Sequence, residues 1–189
     1  MELYLRERIH FIIGCTKMIN DIKQLIKKGY VSKDNSVRNL SQKYLQKAKN
    51  NLITMQILSK IQNNKKIRNL LEIPSGYNSD EWVVIAGYYA MYTSALALIA
   101  KIGFRSKNHS ATIILIEEFF IKKKLMSRED IDLLKNAEIQ KDEIEKLSEA
   151  RHKREIAQYS VTKQTTKEIA ESIKQDAYNF INRVETIIQ

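Results

Sequence analysis

The sequence predicts an all-α protein, an antiparallel helical bundle with an N-terminal helical extension. Three observations predict it. Glycine and proline are scarce, 5 and 1 among 189 residues, a composition that suits helices better than strands and turns. Apolar residues recur every three or four positions along most of the chain. Helix start and stop signals fall between those periodic stretches. The length suffices for one ordinary core and a compact extension.

Leu5, Ile9, Ile12, Ile19, Ile22 and Ile26 form a first apolar stripe, and Gly29 is a natural stop after Lys27 and Lys28. A polar turn at Asp34 to Ser36 follows. Leu45, Ala48, Leu52, Met55, Ile57 and Ile61 then give a second helix to about Asn63. The stretch from Asn63 to Ser79 holds the single proline, Pro74, and predicts the major loop. From Trp82 to Ala100 run 19 uncharged residues, enough to cross a membrane by length alone. Tyr88, Tyr89, Tyr92, Thr93 and Ser94 within it favour instead the central helix of a bundle, its tyrosines packed inside with anchored hydroxyls.

Gly103 is expected to close this helix and Ser106 to Asn108 to open the next, with Ala111, Ile114, Leu115 and Phe119 on its apolar side. The basic run Lys122 to Lys124 suits a helix C-terminus. Ser127 and Asp130 have capping-box spacing and start a charged helix through Ile131, Leu134, Ile144 and Leu147 to about Tyr159, with a break expected near Asn136 to Asp142. Thr165 and Glu168 repeat the box spacing. Ile169, Ile173, Ala177, Phe180, Val184 and Ile187 stripe the last helix.

The net charge of +10 is concentrated at one end. Residues 1–72 hold 15 Lys/Arg against 5 Asp/Glu, and residues 73–189 hold 17 of each. Such a segment suits phosphate-rich partners through counterion release, or else simply a solvated lysine-rich surface. The lone cysteine, Cys15, excludes an internal disulfide, and with no leader-like start the chain reads as cytoplasmic. His10, His109 and His152 lack metal-ligand spacing, and no glycine-rich phosphate loop or serine elbow is present, so neither metal nor cofactor is expected.

The run Ala86-Gly87-Tyr88-Tyr89-Ala90-Met91-Tyr92, followed by Gly103-Phe104 and Lys107-Asn108-His109-Ser110, resembles the HEPN family. Lys47-Ala48 with Leu52 matches that family's early helix, and Ala177-Tyr178-Asn179-Phe180-Ile181 its closing one. The resemblance covers about Ser41 to Ile188. It implies a HEPN-like up-and-down bundle over residues 40–189, with residues 1–39 as a basic helical extension. It also implies a site near the end of a late helix, where an arginine precedes a histidine by four to six residues. Here Arg154 stands at the arginine position and Tyr159 at the position of the histidine.

In active relatives the motif implies metal-independent RNA cleavage. Arginine would stabilise charge on the phosphorane and histidine would move the 2′-hydroxyl proton. Tyr159 starts from a pKa of about 10 and is a poor base at neutral pH, though able to donate to phosphate or stack on a base. A five-residue step on a regular helix turns by about 140°, so Arg154 and Tyr159 would not share a face. His152, seven residues before Tyr159, would, and is the candidate for the missing imidazole. Arg151, Arg154 and Gln158 form a neighbouring polar stripe, and His109 is a further candidate for lining the groove.

Two functional readings follow. One is a metal-independent endoribonuclease in a toxin–antitoxin or defence system, a homodimer with a minimal nucleotidyltransferase as partner. The other is a non-catalytic module that binds RNA, a nucleotide or that partner protein. A purely structural role for the first two helices in subunit assembly is a third.

Overall fold

The computed structural model describes residues 21–153 and 159–189, with side chains for residues 21–142 and 167–189. Leu5, Ile9, Ile12 and Ile19 of the first predicted stripe lie outside the described residues. What is described of the first helix, α1, is residues 21–27. Gly29 ends it as expected. With φ of 72° it lets the Tyr30 N–H reach the Leu25 carbonyl at 2.9 Å and its own N–H reach that of Ile26 at 2.9 Å, the paired bonds of a Schellman turn.

A short antiparallel ribbon, absent from the sequence expectation, comes next. β1 (Val31–Lys33) pairs with β2 (Phe104–Ser106) in the register Val31 to Ser106. Asp34 caps a 3-10 turn at Asn35–Leu40 and its carboxylate meets Arg105 at 3.1 Å. Hydrogen bonds from Ser36 and then Arg105 hold that carboxyl below its ordinary pKa. Val31 and Val37 are buried, so this segment is fastened to the bundle by apolar contact as well as by the ribbon.

Four long helices alternate in direction. Helix α2 (Ser41–Asn63) is antiparallel to α4 (Asp80–Lys101): the Ser41 hydroxyl donates to the Ala97 carbonyl at one end, and the Ser79 hydroxyl to that of Leu58 at the other. Helix α6 (Arg128–Lys153) meets α7 (Tyr159–Ile188) through Arg183 and Asp130 at 3.6 Å. Lys174 donates to Ser59 at 3.1 Å, and Lys49 pairs with Glu185, which sets α7 antiparallel to α2. The all-α bundle expected from the sequence is therefore present.

Helix α4 is the core. It is long and apolar enough to cross a membrane, with a mean hydropathy of 1.7 in its best window, yet 72% of that window is buried inside the protein. Gly87 sets how closely its neighbours approach. A Cβ there would stand 3.1 Å from Ile173 Cγ1 on α7 and 3.2 Å from Met55 Sδ on α2.

Several connections differ from expectation. The stretch between α2 and α4 contains a six-residue helix, α3 (Lys65–Leu70), capped by the Asn64 side chain. Arg68 ties its loop by donating to the carbonyls of Pro74 and Tyr77 at 2.9 and 3.0 Å. Asn108 caps α5 (His109–Ile116) through the Ala111 N–H at 2.8 Å, and a π-turn at Glu117–Ile121 follows. The Ser127/Asp130 box is closed in both directions, at 2.8 and 3.3 Å. No break interrupts α6 at 136–142. Thr165 starts nothing either, because α7 is already helical from Tyr159; box spacing inside a continuous helix has no free N–H group to cap.

Gly103, with φ of 81°, would place a Cβ 2.7 Å from Asn35 Oδ1. Gly103→Ala is expected to lose about 1–2 kcal/mol from left-handed strain alone, and Gly87→Val about 1–3 kcal/mol from overpacking. Urea denaturation measures both, and parental stability in either variant would refute the packing described.

Candidate nucleic-acid interface

His109 is the one sequence-predicted site residue whose side chain is described, and it is not at a surface groove. It occupies the first turn of α5, only 8% exposed, against the rings of Tyr88 and Tyr92 on α4, with centroids 6.0 and 5.4 Å away. Its Nε2 comes within 2.9 Å of Glu138 Oε2 on α6. The alignment falls short of a hydrogen bond, and neither ring nitrogen has a hydrogen-bond partner among the described residues. Burial pushes its pKa down to about 4, against a smaller opposing pull from Asp142. The positive end of the helix dipole works in the same direction as burial. The imidazole is neutral at pH 7, so its role is to join α4, α5 and α6.

The tyrosines divide between inside and outside. Tyr88 and Tyr92 are stacked 5.8 Å apart and nearly parallel, and burial raises the pKa of both, so they stay protonated. A hydrogen bond with Thr112 anchors Tyr92, as expected for interior packing. Tyr89 is a correction: it is 46% exposed. The missed signal was a helical wheel, since Tyr89 follows Trp82 by seven residues and shares its outward face.

Arg154 and Gln158 lie outside the described residues, as do the side chains of Arg151, His152 and Tyr159. The described parts of α2, α6 and α7 show which helix ends lie together. The pairing of Ser59 with Lys174 and of Lys49 with Glu185 directs the N-terminal part of α7 toward the C-terminus of α2. Helix α6, antiparallel to α7, runs to the same end.

That end is cationic on its α2–α3 side. Around that junction the sequence places Lys60, Lys65, Lys66 and Arg68, with Glu72 following. Lys60, Lys65 and Lys66 are exposed where α2 passes into α3. Arg68 is committed to its loop, and Lys49 to Glu185. A cleft of about 350 Å³ at the start of α6 is different in character: Lys122, Arg128 and Lys135 face Glu117 and Asp132, and Lys135 meets Glu117 at 3.1 Å. Its charges offset one another internally. Among the described residues no group of three or more His, Cys, Asp or Glu side chains is placed to hold a metal ion.

Comparison with known proteins agrees with this architecture. A family model described as the HEPN domain matches residues 62–187. A UPF0332 protein of Archaeoglobus fulgidus is 33% identical over 101 residues, which cover 53% of this chain and 70% of that protein. No solved structure matches.

The buried neutral histidine has a measurable consequence. Its folded pKa, about 4, lies below the unfolded value of about 6.5, so the unfolded chain binds the extra proton between those limits. The stability this shift contributes is complete above pH 6.5 and is lost as pH falls toward 4, by up to about 3 kcal/mol. Glu138, whose carboxyl pKa is raised by burial and by Asp142, acts in the opposite sense near the bottom of that window. Thermal melts from pH 7 to 4 should show a shallower dependence in His109→Gln, and an unaltered slope would contradict the buried state.

Proposed function

The chain belongs to the HEPN family, and we propose that it is the RNA-directed component of a toxin–antitoxin or defence pair, binding the RNA backbone at the α3 end of the bundle. In this reading Arg151 and Arg154 engage phosphate, helped by Gln158 and by Lys60, Lys65 and Lys66. The protein works in the cytoplasm as a homodimer, with a minimal nucleotidyltransferase as partner.

One observation supports this reading above others: antiparallel packing brings the C-terminal end of α6 and the N-terminal end of α7, which flank Arg154 in sequence, to the same end of the bundle as the exposed lysines of α2 and α3. Arginine offers phosphate a planar fork of donors, and clustered lysines add affinity by releasing counterions. Neither contribution needs a titrating base.

A second reading, metal-independent endoribonuclease activity, is favoured by Arg154 standing at the family's arginine position. It requires a proton carrier. Burial takes His109 out of contention, and Tyr159 holds its proton at pH 7 unless strongly perturbed. His152 is then the residue for that step.

Purified protein should retain total RNA in the presence of chelator and lose most of that binding on Arg154→Ala. Lys65→Ala combined with Lys66→Ala should make the plot of log affinity against log salt shallower by roughly 1.4 for single-stranded RNA. New RNA ends that vanish in both Arg154→Ala and His152→Ala would establish the enzyme reading. Failure to retain RNA even at low salt would defeat the RNA role altogether.

A further inference from the structure

Helix α4 leaves one stripe of itself uncovered. Trp82 is 56% exposed and Tyr89 46% exposed, with half-buried Ile85 between them at helical spacing. The two aromatic residues are separated by about 10 Å along the axis, from a rise of 1.5 Å per residue. Both flanks of the stripe are identifiable. On one side Thr93 receives a hydrogen bond from Asn51 of α2 at 3.2 Å. On the other, Tyr88 packs edge-on against Tyr89 and carries Lys141 Nζ of α6 over its ring, 5.5 Å from the centroid. The stripe thus lies on α4 between its contacts with α2 and with α6.

Large aromatic side chains exposed on an otherwise buried helix call for a physical reason, because burying either would gain about 1.5–3 kcal/mol. The surroundings indicate what covers them. Ser79 donates to the Leu58 carbonyl and to Gln62 Oε1, so the Trp82 end of the stripe adjoins the C-terminal part of α2, where exposed Lys60, Lys65 and Lys66 lead into α3. Glu138 and Asp142 stand on the α6 flank beyond Tyr88. On that flank Lys141 offsets Asp142 at 3.4 Å, whereas the α2 side carries unopposed exposed lysines, so a polyanion lying along the stripe is drawn to the α2 side and its bases turn inward onto the aromatic residues.

We propose that Trp82 and Tyr89 form a stacking platform for two bases of single-stranded RNA whose phosphates run along the α2–α3 lysines. The proposal rests on the RNA reading above and supplies the strand type and the base contacts that reading lacks. Phosphate attraction alone accepts duplex and single strand alike, whereas a ring lying flat on indole or phenol requires an unpaired base. Sequence tolerance follows, because every base has a π face.

The sequence provides its own probe: Trp82 is the sole tryptophan. Titrating the full chain with a twelve-nucleotide oligoadenylate should quench tryptophan emission saturably, and a duplex of the same length should quench far less. Trp82→Leu and Tyr89→Leu should each weaken oligoadenylate binding about fivefold or more, while Trp82→Phe and Tyr89→Phe retain most of it. Circular dichroism melts verify folding of each variant, and fluorescence of the parental chain needs no variant at all. If Lys65→Ala with Lys66→Ala weakens RNA binding while the leucine variants and the emission do not change, the platform is refuted and the RNA reading stands. If the parental chain binds no RNA, both are refuted. If the leucine variants alter oligomeric state by light scattering and leave RNA affinity intact, the stripe is a protein interface and the proposal is overturned.

Discussion

The close approach of α2 and α7 to Gly87 is the constraint on which the rest of the structure depends. Only where α4 offers no side chain can Met55 and Ile173 both reach its backbone, and their contact is already near the limit for a Cβ. Burying the long apolar helix α4 then supplies a large part of the driving force for folding, and α2, α6 and α7 pack around it in alternating directions. The Schellman turn at Gly29 and the left-handed residue Gly103 hold the ribbon in register at one end. At the other end, Arg68 and Gln62 satisfy the carbonyl and amide groups of the loop leading into α4.

The same packing places the polar cluster around His109 inside the bundle rather than at its surface. His109, Tyr88 and Tyr92 make a stacked aromatic seam between α4 and α5, and Glu138 approaches it from α6. A histidine whose pKa is driven to about 4 by desolvation is a poor proton carrier at neutral pH, however well placed. Its value is mechanical. An imidazole is flat enough to stack and stays uncharged at little cost while pH remains above its unfolded pKa.

Much of the fold was legible because it depends on patterns longer than one helical turn. The stripe of α2, the long uncharged run of α4, the glycine stops at 29 and 103 and the Ser127/Asp130 box all carry redundant signals. The parts that were not legible are short or context-dependent. Three-residue strands and a six-residue helix are below the length at which periodicity can be read. Thr165 and Glu168 show the limit of local motifs, since their spacing is that of a box but α7 supplies them no free helix end. The site was less legible still. Membership in the HEPN family follows from residues 62–187, but whether His109 faces a groove or the core depends on which side of α5 meets α4. Tyr89 was misplaced for the same reason: its tyrosine neighbours point inward, and only the closed bundle distinguishes the three.

Electrostatics ranks what the α3 end can do without a histidine. Each lysine or arginine that displaces a condensed counterion adds to RNA affinity whatever its distance from a reacting atom, so Lys60, Lys65 and Lys66 need only face the backbone. Cleavage is far more demanding, requiring a base, an acid and an in-line phosphate held within about 3 Å of one another. With His109 buried, phosphate binding is the part of the proposed RNA role that asks least of the described residues. Arg154 suits both tasks, because a guanidinium that anchors a ground-state phosphate also complements the added charge of a phosphorane. Within the proposed RNA role, the boundary between a binding module and a nuclease therefore comes down to a single proton carrier set beside an arginine that either role would use.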